Sequence, residues 1–213
     1  VAAQIWGELG PAINAHLRAD GLAPVEGLPV EGLPADETPA CLQARAAVLA
    51  DAPLVSVVVA THNRTASLLK TLESLLAQDY PRTEIIVVDN APSTNETAEA
   101  VRRLAAETGR VSYAREDRPG LAVAHNRGLQ DVSGAFVAFT DDDVIADRHW
   151  VTELVRGFRM AEDVGCVTGL IFPGELETPA QLLAEQYGGF AKGFAPRVFD
   201  TGANRPSGAL FPY

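Results

Sequence analysis

The stretch that decides the fold is "LVSVVVATHNR", residues 54–64, where seven mostly apolar residues are followed directly by four polar ones. A short run rich in β-branched residues predicts a buried strand. The polar residues 61–64 then lie at the carboxyl end of that strand. Further runs of strand length occur at residues 84–89, 111–114, 135–140 and 164–170.

Helical patterns separate these runs, over residues 65–78, 93–107 and 147–160, with apolar side chains recurring on one face. The side chains predicted to cap their amino ends are Thr65, Ser93 with Glu96 as a capping box, and Asp147. Strand and helix alternate at about the length of one βαβ unit. The sequence therefore predicts an α/β fold with a mostly parallel sheet and helices on both faces.

Residues 1–50 differ from the rest in composition. The segment "GLAPVEGLPVEGLP", residues 21–34, repeats Val-Glu-Gly-Leu-Pro, and this density of Gly and Pro excludes a regular helix or strand. Short helices are predicted near residues 11–18 and 40–50. We therefore expect an N-terminal helical and Pro/Gly-rich extension over 1–50 and one main domain over 51–213.

The composition excludes several functional classes. The chain has 213 residues, with 17 basic against 28 acidic side chains and a net charge of -11, and no Lys/Arg-rich stripe that could follow a phosphate backbone, so no nucleic-acid partner is expected. Cys41 and Cys166 form no CxxC motif, which favours a reduced, cytoplasmic setting. No apolar run is long enough to cross a bilayer, although docking to a membrane surface stays open.

Polar groups follow three of the predicted strands. They are Thr61 to Arg64 after the first, Asp89 after the second and the triplet Asp141 to Asp143 after the fourth. In open parallel sheets ligands bind beyond the carboxyl ends of the strands. We therefore expect these three clusters to lie along one edge of the sheet.

The aspartate triplet lies in "FVAFTDDDVI", residues 136–145. If strand geometry continues that far, Asp141 and Asp143 point to one side and Asp142 to the other. Carboxylate oxygens suit Mg²⁺ or Mn²⁺, which complete their coordination with waters and phosphates. The alternative is a solvated turn, but neighbouring carboxylates repel each other, and a bound cation removes that cost.

Asp89 and the segment "RPGLAVAHNRGL", residues 118–129, have two readings each. An aspartate at the end of a buried strand either caps a turn or accepts hydrogen bonds from a ribose or base. Neither the G-x-G-x-x-G fingerprint nor a Walker-A loop accompanies it, which disfavours nicotinamide and P-loop enzymes. Arg118, Gly120, His125, Asn126 and Arg127 surround one helix start and could hold a diphosphate. For any one of them taken alone, solvation or packing is the favoured explanation.

Taken together, "SVVVATHNR", "EIIVVDNAPS", "RPGLAVAHNRGL" and "AFVAFTDDDV" resemble the nucleotide-sugar domain of glycosyltransferase family 2, the inverting enzymes with the GT-A fold. The resemblance runs from about Leu54 to about Gly169, with looser similarity at residues 187–194. It implies metal-dependent transfer of a sugar from a nucleoside-diphosphate sugar to an acceptor hydroxyl, for cell-surface glycan synthesis. The implied acceptor is a glycan, a lipid-linked saccharide or a small molecule, and the implied location is the cytoplasm or the inner face of the cell membrane.

The resemblance also assigns roles to particular residues. The residues implied to contact the nucleotide sugar are Thr61, His62, Asn63, Arg64, Asp89, Arg118, Gly120, Asn126, Asp141 and Asp142. Asp141 and Asp143 match the first and last residues of the family's DxD motif. Asp143 is implied as the direct ligand of Mn²⁺ or Mg²⁺, with Asp141 nearer the ribose and the metal-bound waters.

The general base of the reaction has no counterpart in the sequence. In the family it belongs to an acidic motif beyond the DxD, whereas the acids downstream here stand in no recognisable context. They are Glu162, Asp163, Glu175, Glu177, Glu185 and Asp200. We therefore expect a fragment truncated before the acceptor-side motif, which binds nucleotide and metal with little transfer.

Two other functions are compatible with the sequence. Residues 141–145 nearly fit D-x-D-x-[TV], the motif of haloacid-dehalogenase phosphatases, in which Asp141 would be the nucleophile. That family needs a later lysine, and only Lys192 follows. The second function is that of a non-catalytic module that binds a nucleotide or a partner protein, with the strap at residues 20–40 as its contact surface.

Overall fold

The structure is a computed structural model that describes residues 2–29, 31–32, 38–189, 197–200 and 202. Three sequence predictions fall wholly or partly outside these residues: Lys192, residues 190–194 of the looser similarity, and residues 30 and 33–37 of the strap. The chain separates into two compact units, Val1–Val167 and Thr168–Tyr213.

The first unit is built around a four-stranded sheet in which every pairing is parallel. Its strands are β1 (Val55–Thr61), β2 (Thr83–Asn90), β3 (Val111–Glu116) and β4 (Phe136–Thr140), in the order β3-β2-β1-β4. The helices of the chain are α1 (Ala2–Ala19), α2 (Ala40–Ala50), α3 (Thr65–Leu76), α4 (Glu96–Thr108), α5 (Leu121–Gly128), α6 (Trp150–Phe158) and α7 (Pro179–Gly188). The last of these belongs to the second unit.

Helices cover both faces of the sheet, as the alternation of strands and helices predicts. Because successive strand residues point to opposite faces, Val57 and Val59 of β1 pack with Leu68 of α3, whereas Val58 lies on the other face with Ala124 of α5. Helices α2, α4 and α6 join α3 on the first face. This arrangement confirms the predicted α/β fold with a parallel sheet.

Helix α5 packs closely against the second face because its last residue is glycine. A Cβ at Gly128 would lie 2.5 Å from Val58 Cγ1 and 3.0 Å from Val88 Cγ2. No side chain fits at that distance without moving the helix. Gly128 therefore fixes how closely α5 approaches β1 and β2.

The N-terminal residues contribute two helices. The helix predicted over residues 40–50 is confirmed as α2, and its Val48 is buried in the core of the first face. Arg45 Nη2 lies 3.0 Å from Glu153 Oε1 of α6. Helix α1 is longer than predicted and runs through Pro11, where the prediction began. The domain boundary at residue 50 stays a prediction.

One expectation about regular structure is wrong. Residues 164–170 form no strand: the segment contains two glycines and is mostly exposed, so it lacks the side-chain packing that a strand needs. None of the described helices combines the length and apolar character that crossing a bilayer requires.

The predicted helix caps also differ from the structure. Thr65 is the first helical residue of α3 rather than its cap, and its Oγ1 lies 2.8 Å from Thr97 Oγ1. Helix α4 begins after Asn95, and Ser93 hydrogen-bonds Asn63 instead of capping. Helix α6 begins after His149, while Asp147 accepts the His149 N–H at 2.9 Å. The partners of Thr65 and Ser93 are 32 and 30 positions away in sequence, which a local pattern does not reveal.

Candidate functional site

A groove of about 430 Å³ opens at the carboxyl ends of the strands, beside the amino end of α5. It is lined by Ala60, Thr61, His62, Arg64, Asn90, Leu121, Ala124, Asp141, Asp142 and Asp143. The groove lies where β1 pairs with β2 on one side and with β4 on the other. Strand order reverses at β1, which is where open α/β sheets bind ligands.

Asp142 is the buried member of the triplet and is held by the protein through both oxygens. Thr61 Oγ1 donates to Asp142 Oδ2 at 2.7 Å, and Arg64 Nη1 lies 3.1 Å from Asp142 Oδ1. Its side chain is 6% exposed. Asp142 therefore ties the end of β4 to the end of β1.

Asp141 and Asp143, by contrast, are exposed at the mouth of the groove. Strand β4 ends at Thr140, so a turn rather than strand geometry directs Asp142 inward and its neighbours outward. Arg64 Nη2 lies 2.5 Å from Asp143 Oδ2. Within the described part of the chain, Asp141 makes no hydrogen bond or salt bridge.

Arg64 bridges two of the three carboxylates. The hydrogen bond to Asp143, followed by the charges of Asp142 and Asp143, raises the pKa of the Arg64 guanidinium. Half of the side chain is nevertheless exposed, so water and salt weaken these pairs. Arg64 can exchange partners when a competing cation arrives.

The loop that follows β1 is fixed against the end of β2. The carbonyl of Asn90 can only accept, so His62 Nδ1, 2.7 Å away, must donate to it. His62 Nε2 then accepts from the Asn63 amide at 3.1 Å. Asn63 adopts φ 54°, a left-handed conformation that Asn tolerates, and its Oδ1 accepts from the Ser93 N–H at 2.9 Å. The loop is thus shaped before any ligand binds.

Asn90 is a site residue that the sequence analysis missed. Its Oδ1 accepts the Gly120 N–H at 2.8 Å and its Nδ2 donates to the Arg118 carbonyl at 2.8 Å. The side chain is buried, and it holds the segment before α5 against β2. The signal in the sequence is its place directly after Asp89 at the end of an apolar strand.

The polar cluster predicted around α5 is only partly assembled at the groove. The Arg118 guanidinium pairs with Glu116 at 3.2 Å, and the Gly120 N–H is already bonded to Asn90. Arg118, Gly120 and Asn126 do not line the groove; Leu121 and Ala124 of α5 do. This wall of the groove is apolar.

Asp89 lies in register with Thr61 but is fully buried and does not line the groove. Tyr113 donates to Asp89 Oδ2 at 2.9 Å, while Oδ1 has no hydrogen-bond partner among the described residues. Burial raises the pKa of Asp89, against the lowering effect of the Tyr113 hydrogen bond. Burial is the first cause, followed by the hydrogen bond to Asp89 and its negative charge, that raises the pKa of Tyr113 to about 12. A buried carboxylate oxygen without a donor is costly, and a ligand hydroxyl or N–H would satisfy it.

The exposed pair Asp141 and Asp143 fits a hard cation, because Mg²⁺ and Mn²⁺ take carboxylate oxygens together with waters and phosphates. In the ligand-free arrangement Arg64 provides the opposing charge. Glu162 and Asp163 are exposed in the turn after α6, and the four later acids belong to the second unit. None of these acids lines the groove.

Comparison with known proteins identifies relatives of this chain. The profile of the family described as Glycosyl transferase family 2 matches residues 56–207. "Glycosyltransferase GlyA" of Streptococcus pneumoniae is 31% identical over 102 residues, which are 48% of this chain and 14% of that protein. "GalNAc(5)-diNAcBac-PP-undecaprenol beta-1,3-glucosyltransferase" of Campylobacter jejuni is 38% identical over 93 residues, 43% of this chain and 30% of that protein.

Among solved structures, the mannosyltransferase PcManGT from Pyrobaculum calidifontis, in complex with GDP-Man and Mn²⁺, is 32% identical with a TM-score of 0.47. The match covers 50% of this chain and 32% of that one. The chain thus spans at most a third of the length of these relatives.

Proposed function

Because this chain belongs to glycosyl transferase family 2, we propose that it transfers a sugar from a nucleoside-diphosphate sugar to an acceptor hydroxyl, with a divalent cation and with inversion at the anomeric carbon. The observation that carries the proposal is the division of the aspartates at one groove. Asp142 is buried and bonded to the protein, whereas Asp141 and Asp143 are exposed to a ligand.

The nucleoside end of the donor is assigned to the β1 and β2 side of the groove. The fixed loop forms one wall through His62, and the unpaired Oδ1 of Asp89 is the proposed acceptor for a ribose hydroxyl or a base N–H. Asp89 is covered by Tyr113, so donor binding requires a small movement there. The His62 loop and the Asp89 carboxylate are already in place in the structure, which lowers the free-energy cost of ordering the site on binding.

The diphosphate end is assigned to the β4 side. Asp143, with Asp141, would hold Mn²⁺ or Mg²⁺, which as a Lewis acid stabilises the negative charge of the departing nucleoside diphosphate. When Asp143 binds a cation, Arg64 keeps its pair with Asp142 and its second amino group becomes available to a phosphate oxygen. Arg64 would then contribute positive charge where the leaving group becomes negative.

The acceptor and the cellular role rest on family relationships. The Campylobacter jejuni relative is named a beta-1,3-glucosyltransferase of an undecaprenol-linked saccharide. This supports a glycan or lipid-linked acceptor, a role in cell-surface glycan synthesis and work at the inner membrane face.

The test is the thermal stability of the protein with UDP, GDP, dTDP or CDP, each with and without Mn²⁺. A ligand at about 100 times its dissociation constant stabilises the folded state by about 2.7 kcal/mol, which is about 5–11 °C for a chain of this size. One nucleotide should give this shift with Mn²⁺ present, and Asp143→Asn should remove it.

Asp163→Asn is the matched control, because Asp163 is exposed in a turn outside the groove. It should retain the full shift. The proposal fails if no nucleotide stabilises the wild-type protein with Mn²⁺, or if Asp143→Asn binds as well as the wild type.

A further inference from the structure

A second group of potential metal ligands lies away from the groove, where the end of α1 meets the start of α2. His16 belongs to the last turn of α1, Asp20 follows that helix directly, and Cys41 is the second residue of α2. One ligand atom from each lies within 4.8 Å of the others. Among the described residues, no other group of three His, Cys, Asp or Glu side chains brings its ligand atoms this close together.

We propose that His16, Asp20 and Cys41 bind a divalent cation of the zinc class, which fastens α1 to α2. A nitrogen, an oxygen and a sulfur donor together suit Zn²⁺ better than Mg²⁺ or Ca²⁺, which prefer oxygen alone. The site supplies three protein ligands and leaves the fourth tetrahedral position to water.

The separations fit a tetrahedral ion. Zinc bonds of about 2.0–2.2 Å to nitrogen and oxygen place two ligand atoms about 3.3–3.5 Å apart. His16 Nε2 lies 3.3 Å from Asp20 Oδ2. With the sulfur bond of about 2.3 Å, the Cys41 edges of the tetrahedron would be about 3.6 Å. The ligand atoms lie within 4.8 Å of one another, so the sulfur needs to approach by at most about 1.2 Å.

The carboxylate is already oriented for this task. Asp20 Oδ1 accepts the backbone N–H of Cys41 at 3.0 Å, so Oδ2 is the oxygen that faces His16. The Asp20 side chain is 8% exposed, whereas that of His16 is 63% exposed. A second hydrogen bond that fixes a ligand in this way is typical of metal sites, and the exposed imidazole gives the ion a path from solvent.

The charges also balance. One thiolate and one carboxylate together neutralise the two positive charges of such a cation. Arg45 and Arg156 are the nearby cations, and both pair with Glu153.

Such an ion would anchor the N-terminal helix to the folded core. Helix α2 already packs into the core through Val48. Helix α1 is joined to α2 here by the Asp20 carboxylate. A metal bridge would make the attachment of α1 depend on zinc, independently of the groove and of its oxygen-binding cation.

The test is titration of the metal-free full chain with Co²⁺, a visible-absorbing substitute for Zn²⁺. A thiolate ligand gives a sulfur-to-cobalt charge-transfer band that carboxylates at the groove do not produce. The wild type and Asp143→Asn should show this band, Zn²⁺ should abolish it, and Cys41→Ser should lack it. Cys166→Ser is the matched control and should retain the band, because Cys166 is exposed and stands outside the cluster.

His16→Gln separates binding from folding, because the exposed imidazole can be replaced without disturbing the core. It should weaken cobalt binding at least about tenfold while the circular dichroism stays unchanged. Absence of the band in the wild type, its persistence in Cys41→Ser, or unchanged affinity in His16→Gln would each overturn the proposal. None of these results bears on nucleotide binding.

Discussion

The aspartate triplet leads to a prediction about which member supports the protein and which supports the ligand. Asp142→Ala removes the acceptor of the Thr61 hydroxyl and one partner of Arg64. A hydrogen bond to a charged group contributes about 1.5–3 kcal/mol, and a half-exposed ion pair about 0–1 kcal/mol. The expected loss is about 1.5–4 kcal/mol, or about 3–16 °C in Tm.

Asp141→Ala should behave in the opposite way. Asp141 is exposed and makes no described hydrogen bond, so its loss should change stability by less than about 0.5 kcal/mol. It should, however, reduce the stabilisation that a nucleotide gives in the presence of Mn²⁺. Asp142→Asn keeps an acceptor for Thr61 and should lie between Asp142→Ala and the wild type in Tm.

The assay is thermal unfolding of the three variants and the wild type, first without ligand and then with nucleotide and Mn²⁺. Equal Tm values for Asp142→Ala and the wild type would refute the assignment of Asp142 as a structural residue. A Tm loss in Asp141→Ala as large as in Asp142→Ala would refute the division of roles.

Three further predictions concern stability. Burial raises the pKa of Asp89, so ionisation of this carboxyl opposes folding as the pH rises from 3.8 through the raised value. Asp89→Asn should therefore raise Tm at pH 7, and the gain should shrink in acid. A lower Tm at pH 7 would contradict this. For Asp79 burial alone would raise the pKa, but hydrogen bonds from Thr152 and from the histidine directly before α6 lower it. Asp79→Asn should therefore lower Tm at pH 7 and progressively less as the pH falls below 3.8. A pH-independent loss would count against the ionic contribution. Gly128→Ala should lower the stability of the protein by about 1–3 kcal/mol, because the added methyl group would meet β1 and β2. The control is Gly7→Ala on α1, where the methyl group would enter open space and no stability should be lost. Equal Tm values for the two variants would exclude the steric explanation.

The part of the fold that was predictable is the part set by local composition. Strands β1, β2 and β4 were recognisable because each is a run of apolar, mostly β-branched or aromatic residues. Residues 164–170 have a similar composition but are mostly exposed and form no strand. The composition of a segment indicates its tendency to be buried, but it does not show whether another strand or helix is available to bury it.

The candidate site divides in the same way. The clusters at Thr61 and at Asp141 were predicted to meet, because parallel strands bring their carboxyl ends to one edge, and they do line one groove. Asn90 was missed and the caps of α3 and α4 were misplaced, because the partners of these side chains belong to segments distant in sequence. Hydrogen bonds between loops depend on strand register, which single-chain patterns do not encode.

The pairing of β1 with β4 has a consequence for how the protein is made. The hydrogen bond from Thr61 to Asp142 joins residues 81 positions apart. At a synthesis rate of about 5–20 residues per second, β1 waits about 4–16 s on the ribosome before β4 exists to cover its edge. During that interval an apolar, unpaired strand edge is exposed to other nascent chains. A slower-translating host should therefore yield more aggregated protein, and the groove can form only when β4 arrives.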